Sequence, residues 1–176
     1  MNIDWQGIFA VAVTPFDGEG RVDEAVFRKL VGVIVDDGAD GVIVVGGAGE
    51  FYALDFAEQK RLFAVTVEEV NGRIPVLAGI AALQVEQVRD AGIAASEVGC
   101  DGTMVLAPLY AKPGDREIVA FYDYLCRETP LPMMAYNCPP RNGINFSTEA
   151  VKRLSGMDQM VALKDSSGDI RQASRF

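Results

Sequence analysis

The feature of this sequence that most constrains its fold is the regular spacing of short apolar segments. Six such segments, rich in β-branched residues and bounded by Gly, Pro or Asp, begin at residues 8, 41, 75, 103, 133 and 161. Their starts lie 33, 34, 28, 30 and 28 residues apart, the length of a strand, a crossover helix and two loops. This βα repeat predicts strands at Ile8–Val13, Gly41–Val45, Pro75–Ala78, Thr103–Leu106, Met133–Tyr136 and Val161–Leu163.

Amphipathic stretches between these segments predict the crossover helices. The expected helices are Asp23–Asp37, Asp55–Val70, Val85–Val98, Asp115–Arg127 and Ser147–Leu154. Four of them begin with a short oxygen-bearing side chain that can accept from an unpaired helical N–H group: Asp23, Asp55, Asp115 and Ser147.

The fold class that follows is α/β with a parallel sheet. Runs that are apolar throughout, such as residues 42–45, suit strands covered on both faces. Two architectures have this repeat, a doubly wound open sheet and a (βα)8 TIM barrel, of which the chain would supply about six βα units. A chain of 176 residues that is 49% hydrophobic can bury one core, so we expect a single domain over residues 1–176.

Composition and charge exclude several classes of function. The 25 acidic residues exceed the 16 basic ones, and a net charge of -9 argues against nucleic acid as a partner. The chain has no histidine, which excludes Ser-His-Asp and Cys-His catalysis. Cys100, Cys126 and Cys138 match neither a disulfide framework nor a metal spacing, so no metal site is expected. With no signal peptide or membrane-spanning run, we expect a cytoplasmic protein without membrane contact.

A glycine-rich segment, GGAGE at residues 46–50, follows the second predicted strand. A nucleotide-binding loop is one interpretation, but the segment lacks the full G-x-G-x-x-G spacing and a later acidic ribose partner. The structural alternative is a tight turn.

Candidate functional side chains lie where the fifth and sixth predicted strands end. Desolvation at the rim of an apolar sheet would lower the pKa of Lys164 and make its amine a nucleophile toward carbonyls, although a solvated or ion-paired lysine is the alternative. Tyr136 is either a core tyrosine with a hydrogen-bond partner or a proton carrier. Arg141 is either an ordinary surface arginine or a carboxylate ligand.

These motifs together resemble a known family. The blocks are G-x-x-G-E after the second strand, Y-N-x-P-x-R-x-G after the fifth and A-L-K-D-S-S-G-D on the sixth. They resemble the dihydrodipicolinate synthase / N-acetylneuraminate lyase superfamily of class I pyruvate-dependent aldolases, and the GIFAVAVTPF and GRIPVLAGI segments are similar to it too. The likeness runs through the whole chain with the motifs in the same order.

The resemblance implies a TIM barrel and a role for each matching residue. Lys164 would form a Schiff base with pyruvate or a related 2-oxo acid, and Tyr136 would carry protons. Tyr110 would reach across a subunit interface of a homo-oligomer, a dimer or tetramer, and Arg141 would bind the second substrate's carboxylate. An iminium is itself an electron sink, so no cofactor is expected.

Two departures from the family pattern qualify this expectation. Family members carry hydroxyl residues where this chain has Gly47 and Ala48, so substrate binding there would fall to backbone N–H groups. A complete barrel takes about 250 residues, so the expectation is a C-terminally truncated barrel or one completed by another chain.

Aldol condensation or cleavage leads among the possible functions. Dehydration of a sugar-acid-derived 2-oxo acid and ligand binding without catalysis stay open.

Overall fold

The computed structural model describes residues 5–176, which leaves the first four residues of the predicted domain outside the described part. A parallel sheet of six strands lies at its centre, and the order of strands across the sheet equals their order along the chain. The strands are β1 (Phe9–Val11), β2 (Gly41–Val44), β3 (Val76–Ile80), β4 (Gly102–Leu106), β5 (Met133–Asn137) and β6 (Met160–Asp165).

The sheet curls into a half-barrel. A doubly wound sheet needs a point where the strand order reverses, and the order β1 to β6 has none. The barrel expectation is therefore confirmed, and the open-sheet alternative is wrong.

Helices connect the strands and cover the outer face of the sheet. They are α1 (Glu24–Asp36), α2 (Phe56–Val70), α3 (Val85–Glu97), α4 (Asp115–Glu128), α5 (Pro139–Asn142), α6 (Thr148–Leu154) and α7 (Ile170–Ala173), with a short 3-10 turn at Phe51–Ala53. The five predicted helices correspond to α1–α4 and α6. The 3-10 turn, α5 and α7 were not predicted, because three or four residues are too short for a helical periodicity to show.

Three of the four predicted helix caps are confirmed. Asp23 and Ser147 accept from backbone N–H groups in the first turns of α1 and α6, and Asp55 forms a reciprocal capping box with Glu58. The prediction for Asp115 is wrong, because Asp115 is the first residue of α4 itself and Gly114 is the cap. The Asp115 carboxylate accepts instead from the Ser147 hydroxyl, which joins the starts of α4 and α6.

Strand pairing accounts for two of the differences from the predicted strand bounds. Strand β1 pairs with β2 over only Phe9–Val11, so it is shorter than expected. Strand β6 is longer than expected, because its pairing with β5 continues through Tyr136↔Lys164 and Asn137↔Asp165. This extension brings Lys164 inside the strand.

Side chains fill the interior of the half-barrel at the end where the strands begin. Ile43, Leu77 and Met104 are buried on its inner face. Aromatic rings lie against the first residues of the strands: a Cβ added to Gly41 would be 2.2 Å from Phe9, and one added to Gly102 would be 2.3 Å from Trp5. Open space is therefore left at the carboxyl ends of the strands. In residues 5–176, no helix has the length and apolarity needed to cross a membrane.

Candidate active site

A cavity of about 390 Å³ opens at the carboxyl ends of the strands. Its apolar wall includes Val11 from β1, Ile80 from β3, and Met104 and Leu106 from β4. Most of the polar side chains that line it come from the β5–β6 side, namely Tyr136, Cys138, Arg141 and Lys164, and Tyr52 comes from the 3-10 turn after β2. The glycine-rich segment, residues 46–48, forms part of the rim. Parallel strands of a barrel meet at this end, which is where βα folds place their sites.

Lys164 and Tyr136 lie side by side in this cavity. They are direct partners in the register of β5 and β6, so their side chains project from the same face of the sheet. The Lys164 Nζ atom lies 4.5 Å from the centroid of the Tyr136 ring. An amine and a phenol are thus held together by two paired strands.

The surroundings of this pair shift both pKa values. Partial burial lowers the pKa of Lys164, because a desolvated ammonium ion is disfavoured. Burial also raises the pKa of Tyr136, an effect reinforced by hydrogen bonding with Cys138 and opposed by hydrogen bonding with Ser166. The shifts favour a neutral amine beside a neutral phenol, which is a nucleophile next to a proton carrier.

The glycine-rich segment is held rigidly by its neighbours. The Thr14 hydroxyl donates to the Gly49 carbonyl at 2.7 Å in a buried contact. A Cβ added to Gly49 would lie 3.0 Å from the backbone of Val45, which leaves no room for a side chain. Val45 itself has a φ of 62°, an uncommon value for a β-branched residue and one that tends to occur at functional sites.

Gly47 and Ala48 form the exposed part of this segment. In residues 5–176, neither of their N–H groups donates to a backbone carbonyl. Successive free N–H groups on a fixed turn bind anions well, because their dipoles converge. The segment is therefore suited to a carboxylate even though both side chains lack hydroxyls.

Asn137 fixes the end of β5 next to the candidate pair. Its side chain is fully buried and donates to the Asp165 carboxylate at 2.6 Å and to Asn145 Oδ1 at 3.0 Å. Its own Oδ1 accepts from the Phe146 N–H at 3.0 Å. These bonds join β5, β6 and the loop before α6, and so they hold Tyr136 and Lys164 in register.

Arg141 reaches the cavity from α5, and Tyr110 does not line it. Helix α5 runs from Pro139 to Asn142 and is capped by Gly143, whose φ of 70° suits a helix C-cap. Arg141 thus lies in a single helical turn beside the cavity. Tyr110 is 92% exposed and has a φ of 68°. The structure thus brings together Lys164, Tyr136, Arg141, Gly47 and Ala48, and leaves Tyr110 apart from them.

Sequence reasoning missed two polar groups of the cavity, Tyr52 and Cys138. The Cys138 side chain is only 4% exposed and lines the cavity two residues beyond Tyr136. The alternation of side chains along β5 would have placed it on the same face as Tyr136, had the strand been predicted to continue. In the described part of the chain, no group of three or more Cys, Asp or Glu side chains is arranged to hold a metal ion.

Comparison with known proteins gives consistent matches over nearly the whole chain. The model of the "Dihydrodipicolinate synthetase family" matches residues 4–176. A 4-hydroxy-tetrahydrodipicolinate synthase of Syntrophotalea carbinolica is 35% identical over 168 residues, which are 96% of this chain and 57% of the relative. The synthase of the same name from Citrifermentans bemidjiense is 36% identical over 170 residues, 97% of this chain and 58% of the relative.

A solved structure is similar over the same region. The crystal structure of dihydrodipicolinate synthase DapA-2 from Bacillus anthracis superposes with a TM-score of 0.93 at 37% identity, covering 98% of this chain and 59% of that one. The chain thus spans less than two thirds of the proteins that it matches.

Proposed function

This chain belongs to the dihydrodipicolinate synthetase family, and we propose that it acts as a Schiff-base lyase or synthase on pyruvate or a related 2-oxo acid. The observation that carries the proposal is the pairing of Lys164 with Tyr136 in the cavity, with Nζ 4.5 Å from the ring centroid. The relatives named as synthases support the same reaction class.

The first step is attack by the neutral Lys164 amine on the keto carbon of the 2-oxo acid. The carbon–nitrogen bond forms, the keto oxygen takes up a proton, and loss of water leaves an iminium ion. Removal of a proton from carbon 3 then gives an enamine. Its electron pair forms a bond to the carbonyl carbon of a second substrate, the carbonyl π bond breaks, and the oxygen takes up a proton. Water then hydrolyses the iminium that this step restores, which releases the product and the Lys164 amine. The reverse sequence cleaves that bond. The iminium accepts the electron pair, so the reaction proceeds without a bound cofactor.

Tyr136 is the group proposed to carry protons in these steps. Its phenol lies beside the Lys164 amine, and its raised pKa keeps it protonated and able to donate to the keto oxygen. The chain has no histidine that could carry these protons.

Two further sites are proposed to bind carboxylates. The free N–H groups of Gly47 and Ala48 would bind the carboxylate of the 2-oxo acid. Arg141, whose guanidinium can bind a carboxylate through two hydrogen bonds, would receive the second substrate. An acid-bearing second substrate favours aldol condensation or cleavage over dehydration of a sugar acid.

We assign Tyr110 to a subunit interface of a homo-oligomer. A tyrosine that is 92% exposed with a strained backbone gains from burial against a partner. Replacing Tyr110 by Phe should lower turnover in the assembled protein while leaving its unfolding temperature unchanged. Unchanged turnover would contradict the assignment.

Borohydride trapping tests the proposed imine. The protein is incubated with pyruvate and sodium borohydride, and its intact mass and peptides are measured. We expect one reduced pyruvate adduct per chain, on Lys164. The Lys164→Arg variant should form none, whereas Lys152→Arg, which changes an exposed lysine of α6, should react as the wild type does. A folded protein that remains unmodified would contradict the proposal.

A ligand-binding protein without turnover is the second candidate. Residues 47 and 48 have no hydroxyl to take part in proton transfer, which is the observation that favours it. Exchange of the pyruvate methyl protons with deuterated water, followed by NMR, separates the two candidates. If the wild type exchanges its pyruvate protons and Tyr136→Phe does not, the result supports the enzyme. If the wild type is trapped by borohydride but exchanges no protons, the result supports the binding protein.

A further inference from the structure

Cys138 is a buried side chain of the cavity that has no part in the steps proposed above. Its side chain is 4% exposed and lines the cavity. With Ala81 and Leu106 it forms a small buried cluster, and Tyr136 packs against that cluster. The thiol therefore lies on the same side of the site as the proposed proton carrier.

The backbone on both sides of Cys138 is fixed. Its carbonyl accepts from the Arg141 N–H at 3.0 Å and from the Asn142 N–H at 3.2 Å. The preceding residue, Asn137, is fully buried and donates to the Asp165 carboxylate. Within residues 5–176, Cys138 forms no disulfide, and its side chain makes no hydrogen bond to cap α5. The sulfur is thus held at the cavity, and neither a disulfide nor a helix cap uses it.

The thiol also affects both groups of the proposed reaction. Burial is the main cause of the raised pKa of Tyr136, and hydrogen bonding with Cys138 is the next. Burial lowers the pKa of Lys164, and negative charge on Cys138 would oppose this shift. A hydrogen bond raises the pKa of a phenol when the protonated phenol donates it. These directions agree with a sulfur acceptor close to both groups.

Proton transfer by Tyr136 needs a neighbour that fixes the phenol, because a proton moves only between groups within hydrogen-bond reach. Hydroxyl side chains at residues 47 and 48 could do this, but Gly47 and Ala48 have none. A thiol can donate and accept hydrogen bonds, although weakly. Among the buried side chains of residues 5–176 that line the cavity, Cys138 is the one that can do both.

We propose that Cys138 is a positioning residue, whose sulfur accepts a hydrogen bond from the Tyr136 phenol and holds it beside Lys164 for proton transfer. The inference rests on the proposed function, because it assigns Cys138 a part in the same proton transfer. A serine at this position would keep a hydrogen-bond acceptor, whereas a valine would fill a similar volume without one. The two substitutions therefore separate a hydrogen-bonding role from a packing role.

Two measurements with pyruvate test this role. The extent of borohydride trapping at saturating pyruvate reports the imine at Lys164, and the exchange rate of the pyruvate methyl protons in deuterated water reports proton transfer. Both are measured in the wild type, in Cys138→Ser, in Cys138→Val and in Cys100→Val. Cys100 is the matched control, because it is also 4% exposed and lies outside the cavity.

We expect Cys138→Val to exchange protons about two- to tenfold more slowly than the wild type, the effect of one lost hydrogen bond. Its extent of trapping should equal that of the wild type, because the amine is unchanged. Cys138→Ser should restore the exchange rate, and Cys100→Val should match the wild type in both measurements.

A packing role gives the opposite order, since valine would then preserve the exchange rate better than serine. That order, or an unchanged rate in Cys138→Val, overturns the role of Cys138 while the proposed function stands. A wild type that traps no pyruvate overturns the proposed function itself. If Cys138→Val does not fold, Cys138→Ala replaces it, and a wild-type exchange rate in that folded variant overturns the inference.

Discussion

At the scale of single residues, the reactivity expected of Lys164 depends on burial rather than on a charged partner. No salt bridge involves this lysine in residues 5–176, and its Nζ atom lies over the aromatic ring of Tyr136. An ion pair would hold the amine protonated, whereas desolvation favours its neutral form. The location of the residue, inside β6 and against Tyr136, is what separates it from an ordinary surface lysine.

The pH dependence of imine formation should reflect this burial. Only the neutral amine attacks a carbonyl, so the trapping rate should rise with pH as Lys164 loses its proton. Because the pKa of Lys164 is lowered, the midpoint of this rise should fall below that of a free lysine derivative trapped under the same conditions. A midpoint equal to or above that of the free amine would contradict a desolvated Lys164.

The candidate residues differ in how far they could be predicted from the sequence. Lys164 and Tyr136 each stand out as polar residues that end apolar runs, and that signal is local. Their direct pairing is not local, because it depends on the register between β5 and β6. Cys138 carried no signal of its own, because a small, weakly polar side chain is as common in a core as in a site.

At the scale of the elements, the ends of β5 and β6 act as one unit through Asn137. This side chain satisfies groups on both strands and on the loop before α6. Sequence patterns show where a strand begins, but the bonds that extend β6 through Asp165 link residues 28 positions apart. This is why the predicted β6 stopped one residue before Lys164.

Removing the Asn137 side chain should therefore destabilise the fold and disturb the site together. Asn137→Ala leaves the Phe146 N–H group and the Asp165 carboxylate without their partner, which costs about 1–3 kcal/mol for a buried group. Urea unfolding measures this loss, and trapping at Lys164 should slow in the folded variant.

Gln87→Ala serves as the control, since it changes an exposed side chain of α3. It should alter the free energy of unfolding by less than about 0.5 kcal/mol. If Asn137→Ala unfolds at the same urea concentration as this control, the proposed link between the two strands is wrong.

At the scale of the whole molecule, the sheet is most deeply buried at its centre. All residues of β3 and β4 are buried, whereas β1 is only partly buried throughout and β6 has no fully buried residue. Within residues 5–176, β1 and β6 each pair with a strand on one side only. The spacing of the repeats could not show this arrangement, because doubly wound sheets have the same spacing.

Amide hydrogen exchange should follow this gradient of burial. We expect peptides from Val76–Ile80 and Gly102–Leu106 to exchange slowest, and those from Phe9–Val11 and Met160–Asp165 to exchange faster, because single-sided strands open more readily. Mass spectrometry on the same peptides in denaturant gives the reference rates. Equal protection at the centre and at both edges would contradict the gradient.

The strictly sequential strand order also bears on how the chain is made. Each strand from β2 onward pairs with the strand synthesised just before it. During translation, which proceeds from the N-terminus, every new strand therefore meets a partner that has already left the ribosome. A doubly wound sheet differs, since the strand at its reversal point pairs with a strand made several units earlier and not with its immediate predecessor. The nascent chain can thus add one βα unit at a time, and each docked unit covers the edge that its predecessor left open to contacts with other nascent chains.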